Sequence, residues 1–426
     1  MLLDPPERQQ RQPAGRDVGQ FFVGATLACR ICGAATAEIL DLGKTPPANS
    51  ITTSPDVRLD AYPLVLEWCA KCSNLQLRDC LASDDLYRNY LYVTPQSETL
   101  SKHYDYLQNY LVSQRYITRD SFVVEVGSNA GLFLKHIQPN VARVLGIDPA
   151  ENICKLAVDS GVPTICEFFS EESAHAIARD HGKPDLIVAR HCFAHNCDPH
   201  PLIGGAVSLL GDGAHLLIEN AYALNTIENN EFDQIYHEHM FYFSIRSMAQ
   251  LLAMHGMQLV DVVMSLVHGG SAIFVAKMSR DATTSESTEQ YLTREAHFMT
   301  RAALERFASN ARMIGENLRS LINDLHGAGN RIFTYGATAK GNTLLNYVGL
   351  DKSTITACVD STPLKQNKFL PQSGIPIISE EAGAQDPPDY YLLTASNYKE
   401  EIIAKVRAGG NFHSKFIIPI PFVHIL

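Results

Sequence analysis

FVVEVGSNAGLFLKHI, Phe122–Ile137, decides the fold. Its first half is a short β-branched, apolar run, the pattern of a strand buried on both faces. Gly127, Asn129 and Gly131 then supply turn chemistry, and LFLKHI resumes with helical spacing. Strand, glycine turn, helix is the opening unit of an α/β sheet.

Working outward, the same alternation continues. VLGID is followed by the helical ENICKLAVDSG, and DLIVAR, HLLIEN, QLVDVVM and GSAIFVAK are further strand candidates. The expected fold class is α/β, a mostly parallel, doubly wound sheet whose ligands sit at the carboxyl ends of the strands. Glu125-Val-Gly127-Ser-Asn129-Ala-Gly131 lacks the GxGxxG cradle that a dinucleotide's pyrophosphate needs. An adenosyl cofactor without phosphates, S-adenosylmethionine, fits better. Glu125 belongs to the turn motif, Gly127 and Gly131 leave room, and Asp148 at the end of the second strand can accept ribose hydroxyls. Asp148 could equally cap the helix that follows.

With 426 residues, 46% of them apolar, the chain is long enough for two or three ordinary cores. A formal charge of -11 argues against a surface that tracks a nucleic-acid backbone. No apolar run approaches the ~18–20 residues of a membrane span, and MLLDPPERQQRQPAGRDVGQ has no signal-peptide core. A cytoplasmic location and no membrane partner are expected.

Before the sheet lie two CxxC pairs, Cys29/Cys32 and Cys69/Cys72. Each spacing turns two thiolates toward one ion, and two such knuckles make a closed tetrahedral zinc site with no open position for catalysis. Four inert thiols or a redox CxxC are the alternatives; the redox reading is weakened because neither pair follows a strand and opens a helix. Little apolar sequence surrounds the cysteines, the situation in which a metal supplies folding energy.

The second reactive stretch is QIYHEHMFYFS, Gln234–Ser244, at the end of the long polar loop after HLLIEN, and a third is HCFAHNCD after DLIVAR. His-Glu-His could be a metal site, a catalytic base or core; metal is disfavoured because no separate third ligand is in view. Met240, Phe241, Tyr242 and Phe243 read as packing. After a helical stretch from about 284 to 326 a second βαβ pattern begins, with YGATAKG as its turn and Asp360 after its second strand.

Together these motifs resemble one family. The paired CxxC, the ExGxNxG-like turn, the H-x-x-D loop, FDQIYHEHMFYFS, VHGGS, YGATAKGNTLLNY and DSTPLKQNKFLPQSGIPI are similar to the nucleotide-sugar C-methyltransferases that build branched deoxysugars, over about residues 26 to 426. The resemblance implies zinc on Cys29, Cys32, Cys69 and Cys72, and S-adenosylmethionine against Gly127, Asn129, Gly131 and Asp148. It implies His239 as the base, with Glu238, Tyr236, His195 and the N-terminal Tyr92 as further catalytic residues. The substrate is then a nucleotide-diphosphate keto-sugar, with Tyr335, Lys340, Lys365 and Lys368 as its candidate contacts near a helix start. The C-terminal domain is expected to bind no NAD. Two departures stand out: Ala130 replaces an acid in the cofactor turn, and His191 replaces an Asn.

The expected domains are a disordered tail (1–25), a zinc-binding domain (26–95), a methyltransferase domain (96–283), and a helical linker with a Rossmann-like domain (284–426). The chain reads as monomer or homodimer. O-methylation, with His239 deprotonating a hydroxyl, and a non-catalytic zinc-bearing scaffold are the competing functions.

Overall fold

A computed structural model of the chain describes residues 28–81, 94, 97–265, 267–278 and 283–426. The disordered tail expected over 1–25 lies outside the described residues, as does Tyr92. The described residues form sheets of four, seven and six strands.

The first sheet is antiparallel, from β1 (Ala37–Thr45), β2 (Tyr62–Trp68) and β3 (Leu75–Leu77). Its two cysteine turns are built alike. Gly33 N donates to Cys29 O at 2.8 Å and Ser73 N to Cys69 O at 2.8 Å, while Cys29 N and Cys69 N donate to Ala34 O and Asn74 O.

The second sheet carries the parallel strands β4 (Phe122–Val126), β5 (Arg143–Asp148), β6 (Thr164–Cys166), β7 (Leu186–Arg190) and β8 (His215–Ala221). The chain then leaves it: β9 (Phe241–Tyr242) pairs with β3, completing the first sheet. β10 (Gln258–Ser265) and β11 (Ser271–Lys277) return as an antiparallel hairpin on the edge beside β8, because no helix separates them to allow a parallel crossover. The order β10-β11-β8-β7-β4-β5-β6 reverses direction between β4 and β7, and ligands bind at such a switch.

Helix Arg301–Gly327 buries Leu304, Phe307, Ala311, Ile314, Leu318 and Ile322 along one face and leads to the third sheet. This holds β12 (Ile332–Tyr335), β13 (Ala357–Val359), β14 (Ile377–Ile378), β15 (Tyr390–Leu393), β16 (Lys415–Ile418) and β17 (His424–Ile425). Its order, β14-β13-β12-β15-β16-β17, puts a second switch between β12 and β15.

The sheets share a core. One cluster of buried side chains runs from Leu40 and Leu66 through Ile187 and Phe241 to Phe307, Leu344 and Ile417. Polar seams reinforce it: Asn342 Nδ2 donates to Ala48 O at 2.6 Å, Asn346 Nδ2 to Thr45 Oγ1 at 2.9 Å, and Thr52 and Phe369 exchange backbone hydrogen bonds. Ala48 is buried, so Asn342→Ala leaves its carbonyl unsatisfied. The expected loss is about 1–3 kcal/mol in denaturant unfolding, with zinc content unchanged.

Candidate active site

Where the carboxyl ends of the second and third sheets converge lies a cavity of ≈ 680 Å³. Gly127, Asp148, Arg190 and Asn220 line it from one side, and Tyr335, Asp360 and Thr394 from the other.

The turn after β4 is shaped by close approach. Gly127, Asn129 and Gly131 have φ of 64°, 48° and 73°. A Cβ on Gly127 would fall 2.5 Å from Cys192 Cβ, so only glycine admits the turn. Asp148 Oδ2 accepts Asn129 N at 2.9 Å and its Oδ1 accepts Ala150 N at 3.0 Å. The carboxylate is therefore held by backbone donors across the turn, with lone pairs left for hydroxyls. Burial pushes its pKa above the usual carboxylate range. Asn129 Oδ1 accepts Ala130 N and Thr94 N, both at 2.9 Å, so the side chain braces its own turn. A glycine cradle, a fixed carboxylate and the buried Ser128 hydroxyl, which has no protein partner, fit S-adenosylmethionine.

Two residues expected to touch that cofactor do not line the cavity. Glu125 lies beneath the turn, 1% exposed, and pairs with Arg190 through Nε at 2.9 Å. Gly131 starts the helix Leu132–Ile137, and a Cβ there would meet Val162 at 3.0 Å. Both shape the turn from outside it.

The QIYHEHMFYFS loop is anchored at its end. Phe241 and Tyr242 pair with Gln76 and Leu75, Met240 N donates to Ala194 O at 2.9 Å, and Leu77 N donates to Met240 O at 3.0 Å. His239, Tyr236, Gln234, His195 and His191 line the cavity together. His239 Nδ1 lies 3.1 Å from Gln234 O, and its Nε2 lies 2.6 Å from Tyr236 Oη. A carbonyl only accepts, so Nδ1 carries the hydrogen and the Nε2 lone pair accepts the Tyr236 hydroxyl. The His195 ring stacks on His239 with centroids 5.3 Å apart. Burial, aided by the neighbouring His195, holds the His239 pKa well below its usual value, and burial holds His195 at about 4. Both rings are neutral at neutral pH.

Glu238 is corrected from catalytic contact to support. It is 3% exposed, absent from the lining, and both of its oxygens accept Asn49 Nδ2, at 2.7 and 2.8 Å. Asn49 itself lines the cavity, from a Pro-rich segment with no periodic signal. His237 is structural: its Nε2 donates to Pro63 O at 3.2 Å and its ring meets Tyr62 edge-on. Met240, Phe241, Tyr242 and Phe243 are buried, and Tyr242 Oη donates to Gln234 O at 3.0 Å.

Below the cavity Glu219 is fully buried. Burial opposes its charge, but His103 Nε2 at 3.1 Å, with His191 and Arg190, holds its pKa at about 2. His191, at φ 52°, puts Nε2 3.9 Å from Glu219 Oε1. Sequence reading missed Glu219 because it looks like one more residue of a buried strand.

On the opposite wall Asp360 repeats the arrangement of Asp148. Its Oδ2 accepts Ala337 N at 2.7 Å and its Oδ1 accepts Thr362 N at 2.8 Å. Lys340 Nζ reaches Asn397 Oδ1 at 3.3 Å, and Lys365 Nζ donates to Ala337 O at 2.8 Å; both lysines line the cavity. Tyr335 lines it too, with its hydroxyl donated to Glu380 at 2.7 Å. Lys368, also expected as a substrate contact, is not in the lining.

Away from the cavity the four cysteine sulfurs lie within 4.8 Å of one another, the only such ligand group among the described residues. Sγ of Cys29 and Cys72 are 3.5 Å apart, and those of Cys32 and Cys69 3.6 Å. A tetrahedral zinc with bonds of about 2.3 Å needs edges of about 3.8 Å, so the set fits zinc.

Comparison with known proteins agrees with this layout. Family models match as a zinc binding domain over residues 29–87, a methyltransferase domain over 103–262, and a C-methyltransferase C-terminal domain over 266–421. The C-methyltransferase NovU of Streptomyces niveus is 35% identical over 402 residues, covering 92% of this chain and 95% of that protein. Among solved structures, magnesium protoporphyrin IX methyltransferase of Synechocystis with bound S-adenosylmethionine is 15% identical, with a TM-score of 0.33, over 44% of this chain and 88% of that one. N-methyltransferase NodS of Bradyrhizobium japonicum is 14% identical, with a TM-score of 0.33, over 42% and 97%.

Gly127→Ala drives a Cβ into Cys192 at a left-handed φ. Calorimetry with S-adenosylhomocysteine should show affinity reduced by more than about tenfold, some 1.4 kcal/mol, with the zinc content unchanged.

Proposed function

The chain belongs to the S-adenosylmethionine-dependent C-methyltransferases that carry an N-terminal zinc-binding domain, and on that footing we propose that it methylates a carbon next to the ketone of a nucleotide-linked keto-deoxysugar. One observation carries the reading. A neutral His239 with a defined Nε2 lone pair shares a cavity with the Asp148 turn on one wall and with Lys340 and Lys365 on the other.

Carbon becomes a nucleophile only after a proton beside a carbonyl is removed. His239 Nε2 takes that proton, and the Gln234 carbonyl, already bound to Nδ1–H, stabilises the charge that develops on the ring. Tyr236, whose hydroxyl rests on Nε2 before substrate enters, turns that hydrogen bond to the enolate oxygen. Neutral His195 stacks against the base, and burial limits the basicity of His239 while keeping water from competing. When bound, S-adenosylmethionine supplies an electrophilic methyl group on its sulfonium. The chain's own contribution to that step is placement: the Gly127 turn and Asp148 hold one reactant and the opposite wall holds the other. Glu238 acts through Asn49, keeping that amide at the cavity wall.

Lys340 and Lys365 are the cations suited to a diphosphate, and Asp360 with its turn is suited to the nucleoside. The third sheet is read as the substrate-nucleotide domain; Tyr92, outside the described residues, keeps its proposed place as a further donor to the sugar.

Two measurements test this reading. In D2O without methyl donor, the wild-type protein should exchange the hydrogen on the carbon beside the ketone in one member of a panel of dTDP-, GDP-, CDP- and UDP-linked keto-deoxysugars. His239→Asn should slow that exchange by about 10²-fold or more; no exchange in the wild-type protein, with a methyl ether formed once S-adenosylmethionine is added, would instead mean O-methylation. Lys340→Ala should weaken nucleotide-sugar binding by about tenfold, more at low salt than at high, with S-adenosylhomocysteine affinity unaltered; equal affinity would take Lys340 out of the substrate site.

A further inference from the structure

The turn VHGGS, Val267–Ser271, and the acidic start of the base-bearing loop have no part in the chemistry above, yet they are pressed together. Gly269 and Gly270 take φ of 90° and 110°. A Cβ on Gly269 would lie 2.6 Å from Glu231 Oε2, and one on Gly270 2.4 Å from Asn225 Nδ2. The positive φ demands glycine at both positions, and the ends of the Glu231 and Asn225 side chains fill the space a Cβ would take. Glu231 is 9% exposed, its Oε2 accepts a short hydrogen bond from Gln234 Nε2, and its backbone carbonyl accepts Gln234 N at 3.1 Å. The carbonyl of that same Gln234 receives His239 Nδ1–H and the Tyr242 hydroxyl.

We propose that Glu231 is a positioning residue for His239: its ionised carboxylate clamps the 231–234 turn so that the Gln234 carbonyl keeps the imidazole in the Nδ1–H tautomer, and VHGGS is glycine-rich to admit that carboxylate. The catalytic meaning of the clamp rests on His239 being the base; the clamp itself does not.

Four groups act on Glu231. Burial, the largest influence, and the buried Asp233 favour its neutral form, whereas Lys340 from the third-sheet domain and the hydrogen bonds of Gln234 and Asn229 favour its charge. The balance lifts its pKa to about 7. The carboxylate is therefore ionised, and the clamp complete, above that pH, and the clamp loosens as pH falls through it. His239 takes up its own proton well below the ordinary histidine range, so the two events separate along the pH axis.

Selective 15N-histidine labelling of the zinc-loaded full chain reads the tautomer directly and needs no substrate, with His239 assigned by its loss in His239→Asn. The wild-type protein should show protonated Nδ1 and bare Nε2 at about pH 8.5 and drift to mixed tautomers on titration to about pH 6, with a midpoint near 7. Glu231→Gln and Gly269→Ala should show the mixed pattern throughout. A wild-type tautomer that stays constant across this range, or a single tautomer retained in folded Glu231→Gln, overturns the proposal. The wild-type titration stands even if a variant does not fold. The expected tautomer response together with undiminished deuterium exchange in His239→Asn supports the clamp and instead removes His239 as the base.

Discussion

The pairing of Phe241–Tyr242 with Leu75–Gln76 binds the cysteine-bearing sheet to the methyltransferase sheet, and the place of His239 follows from it. A two-residue strand is a weak element by itself. Here it is buried, continued by Met240 through bonds to Ala194 and Leu77, and backed by Phe243 against Phe193 at 5.5 Å. His239, the proposed base, thus sits two residues from a point held by both sheets. A structural zinc in the four-cysteine site bears on the position of His239 through this route, because β2 and β3 flank one cysteine knuckle and β3 supplies the partner for β9.

The two parallel sheets use one device twice. In each, the strand beside the first ends in an aspartate whose oxygens accept a backbone N–H from the preceding turn and another two residues ahead, Asn129 and Ala150 for Asp148, Ala337 and Thr362 for Asp360. The two carboxylates are set on opposite walls of one cavity. Burial disfavours charge here, and the protein answers with fixed donors at Asp148 and Asp360 and with Arg190 and His103 at Glu125 and Glu219. At His239 burial is the largest influence, and that ring remains neutral.

Much of this was legible in the residues. CxxC spacing locates the metal ligands because a tight turn leaves two thiolates few directions in which to point. Gly127 and Asp148 could be picked out because a strand's end and a glycine's φ are local properties. Gln234, Tyr236 and His239 fall within one short motif, which also signals their proximity. Glu238, Glu125, Gly131 and Lys368 are different. They sit in or next to the right motifs, but the direction of a side chain depends on what packs above it: Asn49, itself at the cavity wall, takes both Glu238 oxygens, Arg190 draws Glu125 beneath the turn, and Val162 confines Gly131.

The sequence by itself determined the α/β class, the zinc knuckles and the glycine turn after the first strand of the parallel sheet, because each depends on periodicity or spacing over a few residues; only resemblance to a family pointed to His239. Only the tertiary structure decided that three sheets close on one cavity, that His239 holds its hydrogen on Nδ1, and that Asn49 meets Glu238 across 189 residues and His103 meets Glu219 across 116. Those contacts join segments far apart or on facing surfaces, and a contact of that kind leaves no periodic trace in the chain that makes it.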